Sequence, residues 1–189
     1  MITTQRLRLV PLSTADTDWW VQLHADPEVN RFVGAYTTEQ AEARLAGIAD
    51  QWAGRGHGLC AVELLATGER IGRCGLNWWE QFDETEVGWT LARAHWGRGY
   101  ATEAARAVLD WGFGGLGLSR ITAMIAHGNE GSEAVARRLG FTELRQDELM
   151  GHRITVFALD APATDRNETA DPAHRTARTE TADPAHRTG

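Results

Sequence analysis

Two spacings of apolar residues alternate along the 189-residue chain, one of period two and one near 3.6, and they divide it into short strands and helices. Residues 6–10 (RLRLV) alternate charged and apolar as a half-buried strand does, and Pro11 ends the run. Ser13 with Asp16 approximates a capping box ahead of a short helix carrying Trp20 and Leu23 on one face. Asp26 and Pro27 repeat a helix-start signal, with Asp as N-cap and Pro at the first helical position. Thr37 with Gln40 opens a longer helix whose Ala41, Leu45, Ile48 and Trp52 fall at helical spacing. After the loop glycines Gly54, Gly56 and Gly58, residues 59–65 and 70–76 read as strands joined at Thr67, Gly68 and Glu69.

Residues 78–86 (WWEQFDETE) mix aromatics and acids without a period, which predicts a strand end, a loop and the start of the next strand. Residues 86–91 form that strand. A helix is expected over 101–113, with Ala101, Ala104, Ala105, Val108 and Gly112 as a small-residue stripe suited to close packing on a sheet. Gly114, Gly115 and Gly117 break it. Residues 121–126 (ITAMIA) are nearly continuous in apolar character, as in a central strand. A helix over 131–139 stops at Gly140, with Phe141 as the hydrophobic contact of a Schellman-type end. Residues 144–149 and 153–159 close the domain as a hairpin about Met150 and Gly151.

One stretch, HWGRGYATEAAR from His95 to Arg106, joins a strand to a helix through two glycines, Gly97 and Gly99. Glycine tolerates positive φ and lets a ligand approach the main chain. The helix that follows points its unpaired N–H groups and positive dipole end back at the loop, an arrangement suited to phosphate, and Arg98 adds a cation. The dinucleotide fingerprint fails because Thr102 stands where its third small residue belongs, and a P-loop is excluded because the chain has no lysine.

This stretch resembles motif A of the GNAT acetyltransferases, and most closely their RimJ/RimL-like branch, with Trp96, Gly99 and Ala101 in the motif's positions. The downstream Asn129, Ser132, Leu139, Gly140 and Phe141 match a second stretch of that family, and the resemblance spans about residues 5–160. It implies a mixed α/β fold: a central, mostly antiparallel twisted sheet of six to seven strands, splayed at the acetyl-CoA site and flanked by about four helices. It also implies acetyl transfer from acetyl-CoA to a primary amine, either a protein N-terminus or a small molecule, by direct attack on the thioester. A non-catalytic acyl-CoA-binding or regulatory domain on the same fold is the alternative.

The cofactor site implied comprises Leu91, Arg98, Gly99, Tyr100, Ala101, Thr102, Asn129 and Ser132. A backbone N–H near Thr90 or Leu91, splayed by a bulge, would serve the thioester carbonyl. Glu86 is the candidate base, with a solvated strand-edge acid as the other reading and Asp83 and Glu84 as loop alternatives. The family's usual tyrosine acid is absent, since Ala136 occupies its position; Ser132 is the candidate acid, or an ordinary helix-start residue, and Tyr100 is a poor substitute. Asn129 is expected to bond the pantetheine arm or simply to cap its helix. Trp78, Trp79 and Phe82 line the acceptor pocket or cover the sheet edge.

Composition narrows the remaining classes. A net charge of −7 argues against a nucleic-acid partner and favours amines. Cys60 and Cys74 lie in strand-like runs, where lone cysteines behave as small buried hydrophobes, so neither a disulfide nor a metal is expected. No apolar run approaches a membrane span and the N-terminus lacks a signal-peptide core, which gives the expectations of a soluble, cytoplasmic protein, with a homodimer allowed. The domain is assigned to residues 1–160. Beyond it, ETADPAHRT occurs at 168–176 and again at 180–188 without aromatics or large aliphatics, so 161–189 reads as a disordered tail.

Overall fold

The computed structural model describes residues 1–162, so the duplicated tail segment lies outside the described residues. Eight strands form one sheet in the order β1-β2-β3-β4-β5-β6-β8-β7. They are β1 (Ile2–Thr3), β2 (Leu7–Pro11), β3 (Leu59–Leu64), β4 (Arg70–Trp79), β5 (Glu84–Leu91), β6 (Arg120–Ala126), β7 (Thr142–Leu149) and β8 (His152–Asp160). Every neighbouring pair is antiparallel except β5 and β6, which run parallel. Five helices accompany them: α1 (Thr17–Leu23), α2 (Pro27–Val33), α3 (Thr38–Arg55), α4 (Tyr100–Gly114) and α5 (Glu130–Leu139).

The sheet therefore has one strand more than expected, and the helices number five rather than about four. The extra strand is β1, whose two residues pair with Leu9 and Arg8 and are too few to show a period. Pro11 does not follow its strand but is its last residue, opposite Cys60 and beyond the reach of β1. The aperiodic stretch divides as anticipated: β4 runs on to Trp79, a turn follows, and β5 begins at Glu84.

Caps set the helix starts. Asp26 accepts from the Glu28 N–H ahead of α2, and Thr37 and Gln40 exchange side-chain to main-chain bonds ahead of α3. Each face of the sheet buries its own cluster. Cys74, Leu76, Val87 and Leu91 point toward Ala104, Ala105, Val108 and Leu109 of α4. Leu59 and Ala61 meet Trp20 of α1 and Ala41, Leu45 and Ile48 of α3 on the other. The small-residue stripe of α4 works as expected: at Gly112 even a Cβ would come within 2.7 Å of Ile121. Burying each Val or Leu on these faces is worth about 1.5–3 kcal/mol. Burial pushes the Cys60 thiol up to about 12, so it stays protonated. At the outer edge, β7 carries charged, mostly exposed residues, which discourages pairing with another chain.

Candidate active site

The parallel pair is where the sheet opens. β5 and β6 share a single register contact, Glu86 with Thr122. Beyond it the side chain of Glu86 stands in for main-chain pairing, its Oε1 accepting from the Met124 N–H of β6 at 3.3 Å. No bulge in β5 opens the sheet, contrary to the expectation of one near Thr90 or Leu91. β4 and β5 stay in register through to Gly72 and Leu91, and the irregularities lie instead between β3 and β4 and between β7 and β8.

Two cavities flank this opening. The larger, about 890 Å³, is lined by Trp89, Thr90 and Leu91 of β5, by His95, Trp96, Gly97 and Gly99 of the loop, by the first turns of α4, and by Asn129, Ser132 and Arg138 from the α5 side. The glycines there do what the sequence suggested. Gly97 has φ +72° and Gly99 φ +79°, and a Cβ added at Gly99 would meet only the Arg6 guanidinium, at 3.5 Å. Gly99 is the N-cap of α4, so the N–H groups of the first turn face outward from the helix end.

The loop is held from outside. Arg6 donates to the Arg98 carbonyl, pairs with Glu103 at 2.6 Å and lies 4.5 Å over the Tyr100 ring, while Thr4 also donates to Glu103. Trp96 donates its indole N–H to the Leu91 carbonyl at 2.8 Å. Of the residues expected to contact the cofactor, Leu91, Gly99, Tyr100, Ala101, Thr102, Asn129 and Ser132 all line this cavity. Arg98 does not; its carbonyl serves the Arg6 clasp instead. Arg106 and Arg138 line the cavity and were missed, because nothing in their helical spacing separates them from solvated arginines. Two buried polar atoms in its wall, Thr90 Oγ1 and His95 Nδ1, have no partner among the described residues.

The second cavity, about 600 Å³, lies on the α3 side of the sheet opening. Its lining includes Tyr36, Arg44, Arg73, Asn77, Trp79 and Glu86. Glu86 accepts from the Trp79 indole N–H at 2.5 Å, and burial pushes its carboxyl above the ordinary range against the opposing pull of that bond, the Met124 bond, Arg73 and Arg44. Glu86 is thus no solvated strand-edge acid. Glu84 is bound to Arg145 through both carboxylate oxygens, and Asp83 sits in the turn with φ +55°.

Of the three aromatics, only Trp79 lines this cavity. Strand alternation turns Trp78 to the opposite face, where Arg55 stacks on it at 4.0 Å, and Phe82 sits in the turn beneath Arg145. Asn129 caps α5, its Oδ1 accepting from the Ser132 N–H at 3.1 Å. Among the described residues, no group of three or more His, Cys, Asp or Glu is placed to hold a metal ion, and no helix is long and apolar enough to cross a membrane.

Comparison with known proteins matches this geometry. A family model described as an acetyltransferase (GNAT) domain matches residues 6–142. The Bacillus licheniformis protein named "Uncharacterized N-acetyltransferase p20" is 33% identical over 150 residues, covering 73% of this chain and 80% of its own. A solved acetyltransferase from Agrobacterium tumefaciens shares 34% identity at a TM-score of 0.75, over 84% of this chain and 92% of that one. RimL, a ribosomal L7/L12 α-N-protein acetyltransferase solved with coenzyme A, shares the fold at a TM-score of 0.70 and 18% identity, over 83% and 95% of the two chains. GNAT acetyltransferases use acetyl-CoA and act on amines. With the family model covering most of the chain and the relatives named for the same chemistry, this chain belongs to the GNAT acetyltransferase family and is an N-acetyltransferase.

Proposed function

We propose that the chain moves an acetyl group from acetyl-CoA in the larger cavity to a primary amine in the smaller one by direct attack, without a covalent enzyme intermediate. The observation that carries this reading is the wall the cavities share: Phe32, Val33, Trp89, Asn129 and Ser132 line both. Direct transfer needs two ligands side by side, and two cavities with one common wall provide that.

The larger cavity fits coenzyme A on three counts. The main-chain N–H groups of Gly99 through Thr102 suit a diphosphate at a helix N-terminus. Arg106 and Arg138 in the wall add cations for phosphate. The unpartnered Thr90 Oγ1 and His95 Nδ1 offer hydrogen bonds to a polar ligand. Bound there, acetyl-CoA supplies a thioester carbonyl for the amine to add to and a thiolate that leaves.

Glu86 takes up the amine's proton at its carboxylate. Its raised affinity for protons suits a base working near neutral pH better than an ordinary carboxylate would. An α-amino group, with a pKa of about 7.7–8.0, is already roughly one-quarter neutral at physiological pH and needs only this modest help. Ser132 lines both cavities, which supports its hydroxyl as the group that carries a proton toward the leaving thiolate. Asn129 spends its Oδ1 on the helix cap, and its Nδ2 donors remain for the pantetheine arm. Two thiols buried without a disulfide accord with a cytoplasmic setting.

The test is thiol release from acetyl-CoA with amines offered as N-terminal peptides, free amino acids and aminoglycosides. Turnover of at least one class is expected. Acetyl-CoA binding without turnover of any amine would contradict the reading.

A further inference from the structure

The acceptor cavity carries more positive charge than its own residues balance. Two guanidinium groups line it, Arg44 from α3 and Arg73 from β4, against one carboxylate, Glu86. Among the described residues, neither arginine makes a salt bridge within 4.0 Å. Arg44 donates to the Asn77 side-chain oxygen at 2.8 Å, a neutral partner. Arg73 lies 5.3 Å over the Trp20 ring, and its buried Nε has no hydrogen-bond partner. Burial works against the charge on both. Both arginines are half-buried, and a guanidinium drawn partly out of water without a salt bridge is costly, since it cannot shed its proton to relieve that cost. The nearby aromatic and histidine side chains offer no anion; His24 is itself held neutral by burial and by Arg73.

The two signs of charge meet at one place. A side chain built at Gly88 of β5 would begin 3.6 Å from Arg73 Nη1 and 4.0 Å from Glu86 Oε1. Gly88 lines the cavity and carries no side chain to fill the space between those two groups. A cation and an anion thus flank one gap in the pleat.

Resting on the proposed acetyl transfer, we infer that the acceptor is a zwitterion: a small amine that also bears a carboxylate, of the amino-acid class. Its carboxylate meets Arg73 and Arg44, and its amine meets Glu86. The planar fork of arginine suits a carboxylate, and charge-assisted bonds of this kind are stronger than neutral ones. A peptide N-terminus lacks the carboxylate beside its amine and would leave both half-buried arginines without a salt-bridge partner.

The test compares free amino acids with their carboxamides, by thiol release and by calorimetry on the protein in the presence of coenzyme A. The expected result is a kcat/KM for the best free amino acid roughly tenfold to a hundredfold above that of its carboxamide, the range that loss of a charged hydrogen bond produces. Arg73→Gln should raise KM for the free acid by a much larger factor than for the carboxamide, narrowing the preference between them. If that variant does not fold, Gly88→Ala serves instead: its added methyl makes only ordinary contacts but occupies the gap, and it should weaken amino-acid binding by calorimetry. Turnover of carboxamides or peptides as efficient as that of free amino acids overturns the inference and leaves acetyl transfer standing. Absence of measurable binding by any free amino acid overturns it as well. Failure of every amine to release thiol contradicts the transfer itself.

Discussion

Glu86 on β5 reaches across to β6 and accepts the main-chain N–H of Met124, just past the only register contact those strands share. One carboxylate therefore fills the fork of the sheet and faces the acceptor cavity at the same time. Trp79 fixes its other oxygen. The residue that helps hold the sheet open is also the one proposed as the base.

Glu86→Gln keeps the shape and the acceptor oxygen for Met124 but removes the base. kcat should fall by about 10²- to 10⁴-fold, the usual contribution of general-base catalysis. The pH profile supplies the discriminating readout. Because burial raises the Glu86 pKa, kcat/KM of the parent should fall as pH drops through a value above the ordinary carboxylate range, and that limb should vanish in the variant. A variant retaining full rate and the same acid limb would remove Glu86 from the reaction.

Arg6→Ala tests the clasp on the phosphate loop. Arg6 joins Glu103, the Arg98 carbonyl and the Tyr100 ring from outside the cavity. Removing it should raise KM for acetyl-CoA several-fold, about 1 kcal/mol of lost preorganisation, with little change in kcat. An unchanged KM would mean that the loop holds its shape unaided.

His24 links stability to pH. It is fully buried, its Nδ1–H donates to the Trp20 carbonyl, and its Nε2 has no partner. Burial, then Arg73, lower its pKa from 6.5 to about 4 against the opposing effect of the Trp20 bond. The folded state thus favours neutral imidazole. The stability this contributes is present above pH 6.5 and lost as pH falls toward 4, on the order of 3 kcal/mol in all. Denaturant titrations across that window should show the loss, and His24→Gln should flatten it. Equal slopes for the two proteins would refute this role.

How much of this was legible in the sequence follows from the physics of each signal. Gly97 and Gly99 ahead of a helix could be read because few other residues accept that backbone. The caps at Asp26 and Thr37 could be read because they act over only two or three residues. Arg44 and Arg73 could not, since a guanidinium facing a cavity and one facing water have the same local pattern; only the packing of α3 over β4 separates them. Trp78 and Trp79 illustrate the limit further. They are neighbours of identical chemistry, and strand alternation alone sends one to the acceptor cavity and the other beneath Arg55.

Gly75→Val should be severely destabilising. A Cβ at Gly75 would come within 2.4 Å of the Gly58 carbonyl and 2.7 Å of Leu59 Cα, both main-chain atoms that cannot rotate away. A loss of about 3 kcal/mol or more is expected by chemical denaturation, at the upper end of overpacking costs. A melting temperature near that of the parent would show that β3 shifts more readily than its packing implies.

Titration calorimetry of coenzyme A against the parent, Gly99→Asn and Gly99→Asp addresses the central claim. Asn and Asp both tolerate the positive φ of +79° and have nearly the same shape, so they differ chiefly in charge. If the main chain from Gly99 to Thr102 cradles the diphosphate, Asn should keep measurable affinity while Asp loses at least about thirtyfold more, roughly 2 kcal/mol. Equal affinities for the two variants would place the diphosphate elsewhere and contradict the account.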